Sequence, residues 1–317
     1  PEHKRLRVLV QKAFSPRQMM NLTDQIRQDA KAVVDSLESH ETGDFVTGVS
    51  KRLPLITISK ILGVPADDRE RMLAMVDAAV SFSDPDFLAG RRPFDVMTES
   101  FMAIGGYAFE KAQYLRAHPG AEGVMAALVE VEEDGQRLTD AEIAQFTLLL
   151  AVAGNDTTRN TTSWGMRALT EFPEQRAILM EDLPPRLEVG VEEFIRYGCP
   201  VTNFMRTTTV DTEIGGQPIT AGDKVMMLYE SANRDPRAFD EPDRFDVTRN
   251  PNRHVSFGGG GPHFCLGAVL ARTQLRALFE ELLRQFPDLQ VDEPRVMVST
   301  VMNAPAAMAM DTGARAV

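Results

Sequence analysis

Apolar residues recur every three to four positions through most of the first two hundred residues. This period is typical of helices that bury one face. The pattern predicts nine helices, at residues 2–14, 16–39, 46–62, 67–80, 93–117, 122–132, 139–170, 173–182 and 185–197. Residues 82–93 contain two prolines and a glycine, so they predict an exposed loop.

The pattern changes after Pro200. Residues 206–210 form a run rich in β-branched side chains, which favours a strand. Residues 213–219 contain the pair Gly215-Gly216 between short apolar stretches, which predicts a β-hairpin with its turn at the glycines. The later part of the chain is therefore expected to contain strands.

A long segment without regular periodicity covers residues 233–261, and such segments are usually functional. A last helix is predicted over residues 265–286, before a short β-like tail. Helices first and strands later indicate a mainly α fold with a smaller β part, of the α+β class. We expect one domain over residues 1–317, helix-rich in 1–200 and mixed in 201–317.

Composition excludes several classes of partner. A net charge of −12 argues against nucleic acid and anionic membrane surfaces, and no run of 18 apolar residues is present to span a bilayer. The two cysteines, Cys199 and Cys265, are far apart and suggest no disulfide framework, which favours a reducing, cytoplasmic setting. The chain begins at Pro1 without a methionine, so we expect it to be a piece of a longer protein.

One cysteine follows a loop of four consecutive glycines, and a helical pattern begins directly after it. Cys265 is therefore predicted near a helix N-terminus, where unpaired N–H groups and the helix dipole favour a thiolate. The glycines let the backbone approach a large or flat ligand, and His263 can direct a donor to the same ligand. A thiolate held in this way is suited to be the axial ligand of a haem iron.

Four other interpretations of Cys265 remain open. A lone cysteine is often a small buried apolar residue. A nucleophile is expected to have a His and an Asn or Asp partner, and none is evident nearby. A zinc site needs several Cys or His at short spacing, and a phosphate-binding loop of the Walker type ends in Lys-Ser or Lys-Thr, which is absent here.

The same segment resembles the haem-binding loop of the cytochrome P450 superfamily, Phe-Gly-x-Gly-x-His/Arg-x-Cys-x-Gly. It matches at Phe257, Gly258, His263, Cys265 and Gly267. It has one extra residue between the phenylalanine and the cysteine, as do some bacterial members that act on sterols and branched lipids. The resemblance covers essentially the whole chain. It implies the P450 fold without its N-terminal strands and first helices, with haem b as cofactor.

The predicted helix over residues 139–170 begins with a capping box, Thr139 to Glu142. Inside it, an acid and two hydroxyls lie beside the small residues Ala153 and Gly154. Buried polar groups are costly unless they are paired. The hydroxyls could bond to a carbonyl one turn earlier, or the group could relay protons to a small ligand beside the small pair.

This segment resembles the P450 motif Ala/Gly-Gly-x-Asp/Glu-Thr-Thr/Ser. The resemblance implies that Thr157 holds dioxygen and a water molecule, that Asp156 passes protons inward, and that Thr158 belongs to the same catalytic group. Ala153 and Gly154 would lie against the haem.

Glu193 and Arg196 lie three residues apart on one predicted helix face, where they can pair. They resemble the Glu-x-x-Arg motif of the family. The resemblance implies a buried, structural triad with Arg244 as its third member.

Haem carries two propionates, so cations are expected to converge on them. His263 is one candidate. By resemblance, Arg206 and the pair His3 and Arg7 on the first helix are others, although the charged neighbours of that pair also fit an ordinary solvated face.

By resemblance, the substrate pocket is lined by residues 82–94, 149–153, 201–205 and 301–303. These segments are mainly apolar, which predicts an apolar small molecule such as a sterol, branched lipid or terpenoid.

The sequence thus predicts a haem-thiolate monooxygenase, expected to act as a monomer with electrons from a ferredoxin and ferredoxin reductase. A basic patch of Arg272, Arg276 and Arg284 is predicted to receive the ferredoxin. The alternatives are a haem-binding sensor or carrier, a peroxide-driven haem-thiolate enzyme, and a piece that is inactive on its own.

Overall fold

The computed structural model describes residues 2–13, 16–64, 68–82, 85–121 and 123–316. A π-helical turn, Val46–Ser50, precedes the third α-helix. The α-helices of these ranges are α1 Glu2–Ala13, α2 Pro16–Asp35, α3 Arg52–Ile61, α4 Arg69–Val80, α5 Pro85–Leu88, α6 Pro93–Ala117, α7 Val124–Glu130, α8 Asp140–Glu171, α9 Pro173–Glu181, α10 Leu183–Gly198, α11 Tyr229–Asn233 and α12 Ala268–Gln285.

The strands are short and form small antiparallel sheets. They are β1 Thr42–Asp44, β2 Glu132–Glu133, β3 Gln136–Arg137, β4 Asn203–Thr207, β5 Thr212–Ile214, β6 Gln217–Ile219, β7 Lys224–Leu228, β8 Gln290–Val291, β9 Arg295–Val296, β10 Pro305–Ala307 and β11 Ala309–Asp311. Strand β11 pairs with both β1 and β8, so a strand of the helix-rich part joins the end of the chain. The other pairs are β2–β3, β4–β7, β5–β6 and β9–β10.

The helix-first order predicted from periodicity is confirmed in the described residues. The predicted helix over 46–62 divides into the π-helical turn and α3, and the loop predicted over 82–93 contains the short helix α5. The hairpin is confirmed, with both turn glycines at positive φ. The positions Phe14, Asp67 and Glu122, predicted as helical, and Ser83 and Asp84, predicted as loop, lie outside the described residues.

Helix α8 lies at the centre of the fold and packs against α3, α4, α6, α10 and α12. Close packing is possible because Gly165 has no side chain: a Cβ there would lie about 3.0–3.1 Å from the rings of Phe279 and Phe194. These two rings are 4.5 Å apart between centroids and belong to α12 and α10. Helix α10 and helix α12, which follows the cysteine loop, are thereby packed closely against α8.

The capping box at the start of α8 is confirmed, since the Thr139 side chain accepts from Glu142 N and the Glu142 side chain accepts from Thr139 N. Among the described helices, none is both long and apolar enough to cross a membrane.

Candidate active site

Cys265 lies at the end of the glycine loop, with its side chain exposed. Gly258 at the start of the loop has φ +94°, a conformation that residues with a side chain rarely adopt. The loop then returns so that the main-chain N–H of Cys265 donates to the carbonyl oxygen of Phe257 over 2.9 Å. A backbone hydrogen bond from Gly267 reaches the sulfur itself. Hydrogen bonds within the loop therefore hold both the main chain of Cys265 and its sulfur atom.

The expectation that helix α12 begins at Cys265 is wrong, because its first residue is Ala268 and its N-cap is Gly267. Partial burial of the sulfur raises the pKa of the Cys265 thiol, whereas the Gly267 N–H and the charges of Arg7 and Arg272 lower it. The side chain reaches the surface, but the surrounding loop desolvates it enough for burial to be the largest effect. Burial in the polypeptide alone therefore disfavours the thiolate form, and a cation at the sulfur would favour it.

Four cationic or potentially cationic side chains converge beside the loop. The rings of His3 and His263 stack with centroids 4.1 Å apart, and Arg7 Nη2 donates to the carbonyl oxygen of Phe264 over 2.8 Å. Burial lowers the pKa of His263, and the charges of His3, Arg206 and Arg7 lower it further, so these groups are within electrostatic reach of it. The arrangement brings together all four candidates for propionate binding, and two arginines beside two histidine rings suit a dicarboxylate group.

An exposed apolar stripe runs along the middle of α8. Leu149 is 61% exposed and Ala153, one turn later, is also exposed, although α8 is otherwise packed on several sides. Gly154 does not share this face, because a Cβ on it would lie 3.1 Å from Ile58 of α3. The expectation that Gly154 leaves room for a ligand is therefore wrong in this structure: its smallness admits the side chain of a neighbouring helix. Ala153 and Leu149 are the surface suited to an apolar ring system.

The acid and hydroxyls of α8 have different surroundings. Thr157 is partly exposed, and its Oγ1 donates to the carbonyl oxygen of Ala153 over 2.9 Å, so the bond to the preceding turn is present. Thr158 is buried, which separates it from the exposed face. Asp156 is also buried, with its Oδ1 3.2 Å from Arg159 Nη2. Burial raises the pKa of Asp156 to about 6, and the Arg159 charge opposes this.

The ion pair of Asp156 and Arg159 is part of a longer row of charged contacts that extends to α4. Arg159 Nη1 lies 3.7 Å from Asp77 Oδ1 of α4, and Asp77 Oδ2 lies 3.2 Å from Lys51 Nζ, beside the π-helical turn. Sequence reasoning missed these three residues. Arg159 could have been found from its i,i+3 spacing to Asp156. Asp77 and Lys51 carried no such signal, because they come from other elements.

Glu193 and Arg196 of α10 form a fully buried pair, with Nε–Oε2 and Nη2–Oε1 distances of 2.7 Å each. The expectation that Arg244 is the third member is wrong. Its side chain is exposed and pairs with Glu241, and only its carbonyl oxygen accepts from Arg196. The third cation is Arg249, whose Nε lies 3.3 Å from Glu193 Oε2 with 11% of its side chain exposed. This cluster fixes the irregular segment that leads to the cysteine loop.

Replacement of either partner of this pair by alanine is expected to destabilise the protein by about 3–5 kcal/mol, because an uncompensated charge is left buried. The free energy of unfolding of Glu193→Ala and Arg196→Ala, measured by denaturant titration, checks this. Arg244→Ala is the matched control and is expected to change it by no more than about 0.5 kcal/mol. Normal stability in the first two variants would contradict the structural role.

The predicted basic patch on α12 is not a set of free cations. Arg272 binds both carboxylate oxygens of Glu192, over 2.6 and 2.7 Å. Arg284 pairs with Glu280, and Arg276 lies 3.9 Å from Glu188. The expectation of an uncompensated basic surface at these three residues is therefore wrong, since acidic partners on α10 and α12 neutralise them.

Comparison with known proteins agrees with this geometry. The family model for Cytochrome P450 matches residues 110–309. The chain is 40% identical to a Methyl-branched lipid omega-hydroxylase of Mycobacterium tuberculosis, over 94% of this chain and 70% of that protein. It is 38% identical to a Steroid C26-monooxygenase of Rhodococcus jostii, over 96% of this chain but 62% of that protein, less than two thirds of its length.

The fold matches a solved Mycobacterium marinum cytochrome P450 in complex with pseudoionone with a TM-score of 0.93 and 48% identity, over 98% of this chain and 75% of that one. The chain belongs to the cytochrome P450 family. Its enzyme class is the P450 monooxygenases and its cofactor is haem b.

The residues present fit this cofactor. An accessible sulfur, an exposed apolar stripe and a group of cations suit, in turn, an iron atom, a flat macrocycle and two propionates. Within the described ranges, no cluster of three or more His, Cys, Asp or Glu is arranged to hold a metal ion.

Proposed function

We propose that the protein is a haem-thiolate monooxygenase that hydroxylates an apolar small molecule, namely a sterol, branched lipid or terpenoid. Electrons come from a ferredoxin and its reductase, and the protein acts as a monomer in the cytoplasm. The observation that carries the proposal is that one chain combines an accessible cysteine in a glycine loop with a buried acid beside a partly exposed hydroxyl, Asp156 and Thr157. The two free cysteines are compatible with a reducing compartment.

The roles of the residues follow from their positions. When bound, haem supplies the redox chemistry that activates dioxygen. Cys265 provides the sulfur ligand. Arg7 and Arg206 hold the propionates by their charge, and His3 and His263 contribute ring nitrogens beside them.

On α8, the apolar side chains of Leu149 and Ala153 exclude water. Asp156 holds a proton on its carboxyl group at mildly acidic pH, because burial disfavours the charged form. Arg159 orients this carboxyl group through its contact with Oδ1. Thr157 places a hydroxyl on the next position of the helix, toward the exposed face.

Apolar substrates are supported by the segments proposed to line the pocket. Thr202 N donates to Val301 O over 2.8 Å, and Asn203 Nδ2 donates to Thr300 O over 2.8 Å, so two of these segments lie side by side. The segment 201–205 exposes two large apolar side chains, Phe204 and Met205. The substrates named for the two curated relatives, a branched lipid and a steroid, belong to the same apolar class.

The proposal is tested with the haem-loaded protein, a surrogate ferredoxin system and isotopically labelled dioxygen. Sterols, methyl-branched fatty acids and terpenoids are offered in parallel with a sugar as a polar control. Incorporation of one labelled oxygen atom into an apolar compound is expected. Oxidation that proceeds only with added peroxide, or no oxidation of any apolar compound, would argue against the proposed reaction.

Thr157→Ala is expected to bind haem and substrate normally while diverting consumed electrons from hydroxylated product to peroxide, since the hydroxyl next to the proton donor is lost. The measured quantity is the ratio of product to peroxide per NAD(P)H consumed. Thr161→Ala is the matched control, because Thr161 makes the same type of bond to the carbonyl four residues earlier, over 2.8 Å to Thr157 O. A product-to-peroxide ratio that is the same in Thr157→Ala as in Thr161→Ala would mean that the Thr157 hydroxyl serves only to bond the helix backbone.

A further inference from the structure

Three side chains, those of Arg272, Glu192 and His254, meet beside Phe257 at the start of the glycine loop. The guanidinium of Arg272 lies 4.5 Å from the centre of the Phe257 ring. Glu192 holds this guanidinium by both carboxylate oxygens, and His254 Nε2 lies 3.1 Å from Glu192 Oε2. We call Glu192, Arg272 and His254 the Glu192 clamp.

The Glu192 clamp is built from strong interactions. Bidentate pairs between arginine and carboxylate are charge-assisted and fix the plane of the guanidinium. A guanidinium over an aromatic face gains further electrostatic attraction. Burial raises the pKa of Glu192, but the hydrogen bonds from Arg272 and His254 outweigh this and lower it to about 2. The carboxylate is therefore charged throughout the physiological range, and the position of Arg272 is fixed.

The Glu192 clamp is connected to Cys265 through Phe257. The carbonyl oxygen of Phe257 accepts the main-chain N–H of Cys265 over 2.9 Å, so displacement of Phe257 moves the cysteine. This connection does not involve the acid–hydroxyl pair on α8.

We propose that Arg272, held by Glu192 and His254, is a positioning residue for Cys265: it fixes Phe257, and Phe257 fixes the cysteine main chain. The Glu192 clamp thereby sets the geometry and donor strength of the sulfur ligand. The proposal rests on the assignment of Cys265 as the iron ligand. It also gives Arg272 an internal role in place of one in ferredoxin docking.

Two substitutions separate position from charge. Arg272→Gln removes both the positive charge and the planar guanidinium that binds Glu192 and lies over the Phe257 ring. Arg272→Lys keeps the charge but loses the planar fork that binds Glu192 and covers the ring. Arg276→Lys and Arg276→Gln are matched controls one turn later on α12, where the nearest acid, Glu188, lies 3.9 Å away.

The measured quantities, on the haem-loaded full chain, are the reduction potential of the iron and the rate at which the reduced carbonyl complex loses its thiolate-type Soret band. Both Arg272 variants are expected to lose the band about tenfold faster, equivalent to about 1.4 kcal/mol. Both are also expected to shift the potential. Arg272→Gln is expected to shift it to more negative values, because a positive charge near the iron favours the reduced form. Glu192→Gln, which keeps the shape of the side chain but loses its charge, is expected to speed loss of the band by less. It is expected to shift the potential to more positive values, because a negative charge near the iron disfavours the reduced form.

Wild-type behaviour of Arg272→Lys would show that charge alone matters and would overturn the positioning role. Wild-type behaviour of all the Glu192 and Arg272 variants, or equal changes in the Arg276 controls, would overturn the inference altogether. A wild-type protein without a thiolate-type band would instead refute the assignment of Cys265, which distinguishes failure of the proposed function from failure of this inference.

Discussion

Replacement of Cys265 by serine is expected to abolish the thiolate-type Soret band of the reduced, carbon-monoxide-bound protein. A serine hydroxyl does not ionise in this pH range and is a poor donor to iron, whereas thiolate donation is what gives this class of haem its spectrum. The loop geometry is expected to persist, because the bond that holds residue 265 to Phe257 is made by main-chain atoms. Absorption spectra of the haem-loaded variant, compared with wild type at equal protein concentration, measure the loss.

Cys199→Ser is the control for this prediction. Cys199 is buried, its sulfur lies 3.3 Å from Val201 O, and burial raises the pKa of its thiol to about 11. Such a group is not available to a ligand, so the band is expected to be retained. An unchanged spectrum in Cys265→Ser, or its loss only in Cys199→Ser, would require another iron ligand.

Local signals in the sequence predicted the helical part of the fold well. The capping box at Thr139 and Glu142 placed the start of α8 within one residue, because capping depends on side chains adjacent to the helix end. The glycines at 215 and 216 placed the hairpin for the same reason, since a positive φ is a local requirement.

Long-range pairing was not predictable in this way. The three residues of β1 pair with β11, more than 260 residues later, and a three-residue strand carries no periodicity that identifies its partner. The sequence also placed the start of α12 at Cys265, because apolar spacing alone does not show where a preceding loop ends. Helix ends without a side-chain cap, as at Gly267, have no local signal.

The same difference between local and long-range signals applies to the candidate site. The cysteine loop, Asp156 and Thr157 were identified from contiguous motifs. Arg244 was predicted as the partner of Glu193, but Arg249, five residues later, holds this position. Which of the two arginines reaches Glu193 depends on how the irregular segment folds back onto α10, and the sequence has no local signal for that. The acidic partners of Arg272 and Arg276 were missed because they lie on another helix, whereas Glu280 could have been found from its i,i+4 spacing to Arg284.

Asp156→Asn is expected to lower turnover by about 10²–10⁴-fold, the usual contribution of a positioned general acid or base. The asparagine keeps the size of the side chain and a hydrogen-bonding oxygen toward Arg159, but it has no proton to transfer. The measurement is the rate of product formation under saturating ferredoxin and substrate. Thr162→Ala is a control on the same helix, because Thr162 is buried and its Oγ1 donates to Thr158 O over 2.9 Å without contacting Asp156.

The same substitution has a pH signature that does not depend on turnover. Burial raises the pKa of Asp156 from 3.8 to about 6 in the folded protein. Between these values the folded state retains a proton that the unfolded chain has released, so stability falls as pH rises from about 4 to about 6 and then levels off. A two-unit shift corresponds to about 3 kcal/mol. The difference in unfolding free energy between wild type and Asp156→Asn is therefore expected to vary over this interval. A difference independent of pH, together with normal turnover, would mean that Asp156 is a permanently charged partner of Arg159 and that protons reach Thr157 by another route.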